Sequence, residues 1–364
     1  MLKNFVKIAI RNLRKNKAFS FINIFGLAVG LTSFLLIASF VYNELSYDNY
    51  PADAKNIYRV KLSTVGNGDV AVYPNVDIGV GPGIKQAFPE IISFTRLTQG
   101  APVFVKYDEK QFKEEHLAYA DSNFLQVFSI PLIEGDLSNA LSDPNSVVVS
   151  KSFANKYFGK GPALGKSLLI GKNSVFKITG VFDKIPDNSH FHFDAFLSLS
   201  TLHASHVTWS NIGYYTYIQL NDHADPKKLE AKFPQLVAKY VVPEIQHDMG
   251  VSLVEAQKSV GTFLFSLEPL RDIHLRSNTK YELEPNGDIH YVYIFAALAG
   301  FILLLACINF TNLSTASAAK RSREVGIRKV MGSLKKQLIF QFLTESVLLT
   351  LLAMICAYIL VFLL

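Results

Sequence analysis

The chain has 364 residues, 49% of them apolar, with a mean hydropathy of +0.22 and a formal net charge of +6. That is too apolar for an ordinary soluble protein and too polar for a bundle made only of membrane spans, so a few spans plus a large water-exposed domain fit best. Residues 1–17 carry +6, residues 44–290 carry 23 basic and 28 acidic groups, and residues 320–337 carry seven basic and one acidic. A basic excess confined to segments beside apolar runs is a topology signal and excludes a nucleic-acid footprint.

Residues 1–17 alternate apolar and basic side chains at helical spacing, which predicts an amphipathic helix on the cytoplasmic surface. Residues 18–43 hold no charge and are long enough to cross ~30 Å of hydrocarbon, so they form the first transmembrane helix rather than a cleaved signal peptide. Within them Gly26 and Gly30 form a G-x-x-x-G pair, a weak signal for a packing face against another span. Residues 44–290 read as a large α+β periplasmic domain, inserted between the first and second of three spans and expected in two subdomains. A strand is expected from Ile57. Other β-rich runs lie at 146–149, 167–170 and 175–182, with helices at 83–87, 151–157 and 226–241 and turns at 66–69, 79–83 and 171–173. Residues 291–319 are the second span and 338–364 the third, whose apolar core is 346–364. The two cysteines, Cys307 and Cys356, sit in these apolar runs and read as small packing residues.

Residues 320–337, KRSREVGIRKVMGSLKKQ, join the last two spans. Basic loops stay cytoplasmic, because translocating Lys and Arg is unfavourable. Ile327, Val330, Met331 and Leu334 recur at i, i+3, i+4 and i+7, one face of a helix, with Arg328, Lys329, Lys335 and Lys336 off the stripe. On charge alone this is an anchor for membrane lipids. The residues of 304–346, however, resemble the second-to-third-span region of ABC transporter permeases of the MacB/FtsX type. The family's basic-Glu-hydrophobic-Gly-hydrophobic-Arg-Lys pattern falls on Arg323, Glu324, Val325, Gly326, Ile327, Arg328 and Lys329, with a further Gly at Gly332. Met331 adds an apolar anchor. Phe342, Glu345 and Leu349 resemble the start of the family's third span, and Asn23 to Gly30 its first. NSVVVSKSFANKYFGKGPALGKSLLI and FKITGVFDKIPDNSHFHFDAFLSL, within 145–199, are similar to the centre of its periplasmic domain. The resemblance implies a coupling helix that docks on a separate cytoplasmic ATPase, a dimeric permease made with a second copy, a paralogue or a second half, and in some cases a periplasmic adaptor. It also implies ATP-driven movement of the spans that reshapes the outer domain of a bacterial inner-membrane protein. Its substrate classes include antimicrobial peptides, macrolides and lipoproteins.

Other chemistry is thin. Residues 160–167, KGPALGKS, nearly match a P-loop, but Lys160 replaces the first Gly and no helix can follow, so a turn is the better reading. His190, His192 and Asp194 would share a strand face, yet two histidines and one carboxylate are an incomplete metal set, and a solvated strand edge is preferred. Asp108-Glu109, Glu114-Glu115 and Glu282/Glu284 read as solvated charges. No catalytic constellation, cofactor or metal is expected, and the chain is not read as an enzyme. Glu345 is the one acid near a span interior, a functional candidate or else a partner of Lys335 or Lys336 at the interface. The competing class is a transmembrane sensor with a periplasmic ligand domain, but an 18-residue loop leading straight into another span counts against it. The third run stops at Leu364 within AYILVFLL, so the reading frame is expected to continue into an outer turn and a fourth span.

Overall fold

A computed structural model describes residues 2–15, 17–66, 69–202, 206–260, 263–320, 322–331 and 334–364. The chain divides into two units, one of Met1–Leu45 with Ile289–Leu364 and one of Ser46–Asp288.

The first unit is helical. An amphipathic helix, Leu2–Lys15, precedes the first span at Lys17–Leu45. A second long helix covers Ile289–Lys320, a short one Ser322–Val330, and a third long one Lys335–Leu363. Among the described residues three helices are therefore long and apolar enough to cross a membrane, and the large mixed domain lies between the first and second. All three present mostly exposed apolar side chains, as expected of surfaces that face lipid. A small shared core of Leu27, Ala28, Ala306 and Ala353 brings them together. Cys307 and Cys356 are exposed on the helix surfaces, not packed inside as expected.

The second unit contains β1 (Ile57–Gly66), β2 (Asp69–Tyr73), β3 (Ile91–Gln99), β4 (Val103–Tyr107), β5 (Lys110–Glu114), β6 (Leu117–Ala120), β7 (Leu132–Gly135), β8 (Ser146–Ser150), β9 (Ser167–Ile170), β10 (Ser174–Phe182), β11 (Ala195–Ser198), β12 (Tyr215–Leu220) and β13 (Leu264–Pro269). They form one mixed sheet in the order β13-β1-β12-β3-β6-β11-β8-β10-β9-β4-β5, with β2 on β1 and β7 on β10. The expected two subdomains are thus one compact unit with a continuous hydrogen-bonded sheet and three core clusters around Phe124, Phe233 and Phe153. The β8 run SVVVS is buried along its whole length and pairs in parallel with β10, as an interior strand should. A helix, Lys151–Phe158, follows it at once. It is capped by Ser150 Oγ, which accepts from Phe153 N–H, and closed by Gly159 at φ +62°. The near-P-loop residues form the connection from that helix to β9.

The helix expected at 226–241 is broken. Pro226–Glu230 stops, a new turn starts at Pro234, and a π-helical turn leads into Val242–Met249. Pro234 has no N–H to bond back to the preceding turn, which favours it as a first helical residue over an interior one.

Of the charges read as solvated, Glu114 is buried and Glu282 is half-buried. Glu114 accepts from Tyr157 Oη and Lys156 Nζ, both at 2.7 Å. Arg59 is fully buried on β1 and donates from Nη1 to Glu282 at 2.6 Å, and from Nε and Nη2 to Glu268 on β13 at 3.1 and 2.6 Å. Lys61 Nζ also reaches Glu268, at 2.9 Å. Burial would push the Glu282 carboxyl up, but the Arg59 hydrogen bonds and charge, with the Thr279 and Ser277 hydroxyls, hold it below the usual carboxylate range.

Candidate functional site

The loop helix between the second and third spans is built by composition. Glu324 lies in its first turn and Arg328 and Lys329 in its last, the polarity that suits the helix dipole. Met331 N–H still bonds back to the Ile327 carbonyl at 3.0 Å, so the helical turn runs one residue past Val330. Ile327, Val330 and Met331 are 58%, 89% and 81% exposed. Lys329 beside them is exposed too. A Cβ added at Gly326 would meet nothing within 4 Å, so the backbone there is open to close approach. Apolar side chains of this size rarely stand in water as a group without a partner. Leu334 does not continue the stripe, because it lies outside the loop helix as the N-cap of the third span. Arg323, Glu324 and Arg328 are placed on the helix by their backbone only, and Gly332 lies outside the described residues.

The Gly26 and Gly30 face turns to the second span. A Cβ at Gly30 would lie 2.5 Å from Ala306 Cβ, and one at Gly26 would lie 3.2 Å from Asn309 Nδ2. Glycine is required at residue 30, because a methyl there cannot fit without moving a helix. One turn before Gly26, Asn23 is buried, and neither of its amide atoms has a hydrogen-bond partner among the described residues.

Glu345 is buried in the same unit and accepts from Asn12 Nδ2 at 3.5 Å. It lines a cavity of about 40 Å³ with Phe19, Ser314, Ser317, Phe342 and Leu349. Lys336 and Lys335 stand nine and ten residues earlier on the same helix, about 14 Å of rise, beyond the spacing at which helix side chains pair.

In the second unit, His190 is not on a solvated edge. Its backbone N–H and its Nδ1 both face Asp48 Oδ1, at 3.2 and 2.8 Å, and its Nε2 faces Tyr217 Oη at 2.7 Å. Burial raises the Tyr217 hydroxyl well above its ordinary pKa, so it stays protonated beside the ring. His192 uses Nδ1 on Glu284 and Nε2 on the Pro186 carbonyl, at 2.9 and 3.0 Å. All four ring nitrogens are engaged, and among the described residues no cluster of three ligand-type side chains occurs. Asp48, Arg59 and Asn12 went unnoticed in the sequence because their partners lie 142 to 333 residues away.

Comparison with known proteins matches residues 20–236 to the MacB-like periplasmic core domain and residues 296–364 to the FtsX-like permease C-terminal domain. The chain is 23% identical over 358 residues to an uncharacterised ABC transporter permease, YvrN, of Bacillus subtilis, covering 95% of this chain and 83% of that protein. It is 24% identical over 308 residues to the macrolide export ATP-binding/permease protein MacB of Pasteurella multocida, covering 80% of this chain but only 43% of that one. In fold, a domain of a permease from Porphyromonas gingivalis superposes with a TM-score of 0.52 at 24% identity, over 67% of this chain and 98% of the solved domain.

Proposed function

The chain belongs to the ABC transporter permeases that carry a MacB-like periplasmic core domain and an FtsX-like permease domain, and on that premise we propose that its loop helix, Ser322–Val330, is the docking point of a cytoplasmic ATPase. It is a membrane protein with a periplasmic or extracellular domain, it is not itself catalytic, and a permease of this kind works with an ATPase subunit. The observation that carries the docking proposal is the exposed group Ile327, Val330 and Met331, beside an open glycine backbone at Gly326. By the family resemblance Arg323, Glu324, Arg328, Lys329 and Gly332 belong to the same contact, the cations contributing charge-assisted contacts and the apolar residues an anchor.

ATP-driven closure of the docked ATPase moves the spans and reshapes Ser46–Asp288, and the chain acts in the bacterial inner membrane with residues 1–17 and 320–337 cytoplasmic. It works with a second copy, a paralogue or a second permease half, Gly26 and Gly30 keeping its first two spans close. Macrolides are in scope because the Pasteurella relative is described as a macrolide exporter. Antimicrobial peptides and lipoproteins are the other classes the family resemblance brings.

The test is co-purification. Ile327→Asp/Met331→Asp in the full chain abolishes recovery of the ATPase while membrane insertion persists, and Arg328→Glu lowers ATPase stimulation. Undiminished recovery with the double substitution would leave the loop helix as a lipid anchor.

A further inference from the structure

The helix Leu2–Lys15 carries two different faces. Ala9 is fully buried, Asn12 and Leu13 are half-buried, and this face packs on the third span, with Asn12 donating to Glu345. Ser20 Oγ donates to the Leu13 carbonyl at 3.2 Å and fixes the corner into the first span. The other face presents Lys7, Arg11 and Arg14, all exposed, at i, i+4 and i+7. They form one stripe about 10 Å long. Among the described residues none of the three cations has an ion-pair or hydrogen-bond partner. The dipole at the end of the helix accounts for Arg14 but not for Lys7 or Arg11, which lie further in.

The stripe is also shaped. Lys7, Ile8, Ile10, Arg11 and Arg14 line an open cavity of about 450 Å³, and Ile10 is exposed between the cations. Three cations next to bare aliphatic surface fit a group that is anionic at one end and hydrocarbon at the other. Chain connectivity puts this helix one residue before a membrane span, at the depth of the headgroups.

We infer that Lys7, Arg11 and Arg14 bind the phosphate of an anionic phospholipid, with Ile8 and Ile10 against the glycerol end of its acyl chains. The site holds the helix flat on the membrane, and through Asn12 and Ala9 it fixes the start of the third span. It stands on the membrane placement of this unit and not on the ATPase assignment, so failure of one leaves the other intact.

The full chain, purified in detergent and stripped of lipid, is titrated with dioleoyl-phosphatidylglycerol and followed by native mass spectrometry. Phosphatidylcholine serves as the neutral arm, and inorganic phosphate in millimolar excess as the competitor. One phosphatidylglycerol is retained, phosphatidylcholine binds at least about tenfold more weakly, and free phosphate does not displace the lipid. Lys7→Gln/Arg11→Gln/Arg14→Gln weakens retention on the order of a hundredfold, about fivefold for each cation. Arg11→Gln alone gives about fivefold, should the triple variant fold poorly. Lys172→Gln/Lys227→Gln/Lys258→Gln removes the same charge from exposed positions of the other unit and changes nothing. Equal retention in the helix variant, equal loss in the control, or displacement by free phosphate would each overturn the headgroup site.

Discussion

Arg59→Met isolates the buried ion cluster. The substitution keeps an unbranched side chain of similar reach and removes the charge. Glu268 then retains Lys61 Nζ at 2.9 Å, whereas Glu282 retains only the Ser277 and Thr279 hydroxyls. Removing one member of a buried pair costs about 3–5 kcal/mol, most of it the stranded charge. Trp209 is the sole tryptophan, is 6% exposed, and stacks on Tyr240, so its emission reports this unit alone. With a urea dependence of about 2–3 kcal/mol per molar, the unfolding midpoint falls by about 1–2 M. Adding Glu282→Met returns on the order of half the loss, because an apolar replacement of a buried pair is near neutral. The pH dependence also changes sign. In the parent the depressed Glu282 pKa contributes stability above its ordinary value of 4.5, lost as pH falls through the folded value. In Arg59→Met the stranded carboxyl is pushed up, so stability falls as pH rises from about 4 to 7. A midpoint within about 0.3 M of the parent, or no recovery in the double variant, refutes the stranded-charge reasoning.

Gly30→Ala destabilises the helical unit by about 1–3 kcal/mol in a detergent thermal melt, and Ala306→Gly restores it. Failure of that rescue would show that the helices are not in contact at this point. The Glu284 hydrogen bond raises the His192 pKa against half-burial, so the histidine's contribution is fully present below pH 6.5 and is lost as pH rises through the folded value. The amplitude is below about 1 kcal/mol because both groups are partly solvated, and Glu284→Gln removes the pH-dependent step in a melting-temperature series. Lys172→Cys reacts with an impermeant thiol reagent applied outside intact cells and Lys329→Cys does not, both side chains being exposed. The opposite labelling would invert the topology.

What was legible in the sequence is what local physics controls. The uncharged runs set the spans, and β8, the following helix, β9 and β10 fall within a residue or two of their expected bounds because caps and glycines lie beside them. The loop helix was legible in its apolar spacing, except that Leu334 stands at the start of the next helix. The illegible part is long-range. Glu282 looks solvated in a run of polar residues, and only the antiparallel pairing of the first and last strands brings Arg59 near it. His190 looks like an edge residue until Asp48 arrives from the far side, in a positive-φ conformation at φ +55°. The continuous sheet was missed because the strand order depends on crossovers that turn signals do not encode.

The pairing of β1 with β13 has a mechanical consequence. Ile57 begins β1 just after the segment leaving the first span, and Pro269 ends β13 before the segment that leads to the second. Tyr58 pairs with Pro269 and Arg59 with Glu268, so both tethers pull on the same end of one antiparallel ladder. If the tethers move together, the sheet is carried as a rigid load. If they separate, the ladder is opened like a zip, one rung at a time, its weakest loading direction. Pro269 cannot donate a hydrogen bond at the first rung. The second rung holds Arg59, whose guanidinium joins Glu268 on β13 to Glu282 on the outgoing tether itself. The buried charges therefore tie the segment after β13 to the first rungs of the ladder, behind the anchors that Asp48 makes to His190 and Tyr47 to His274.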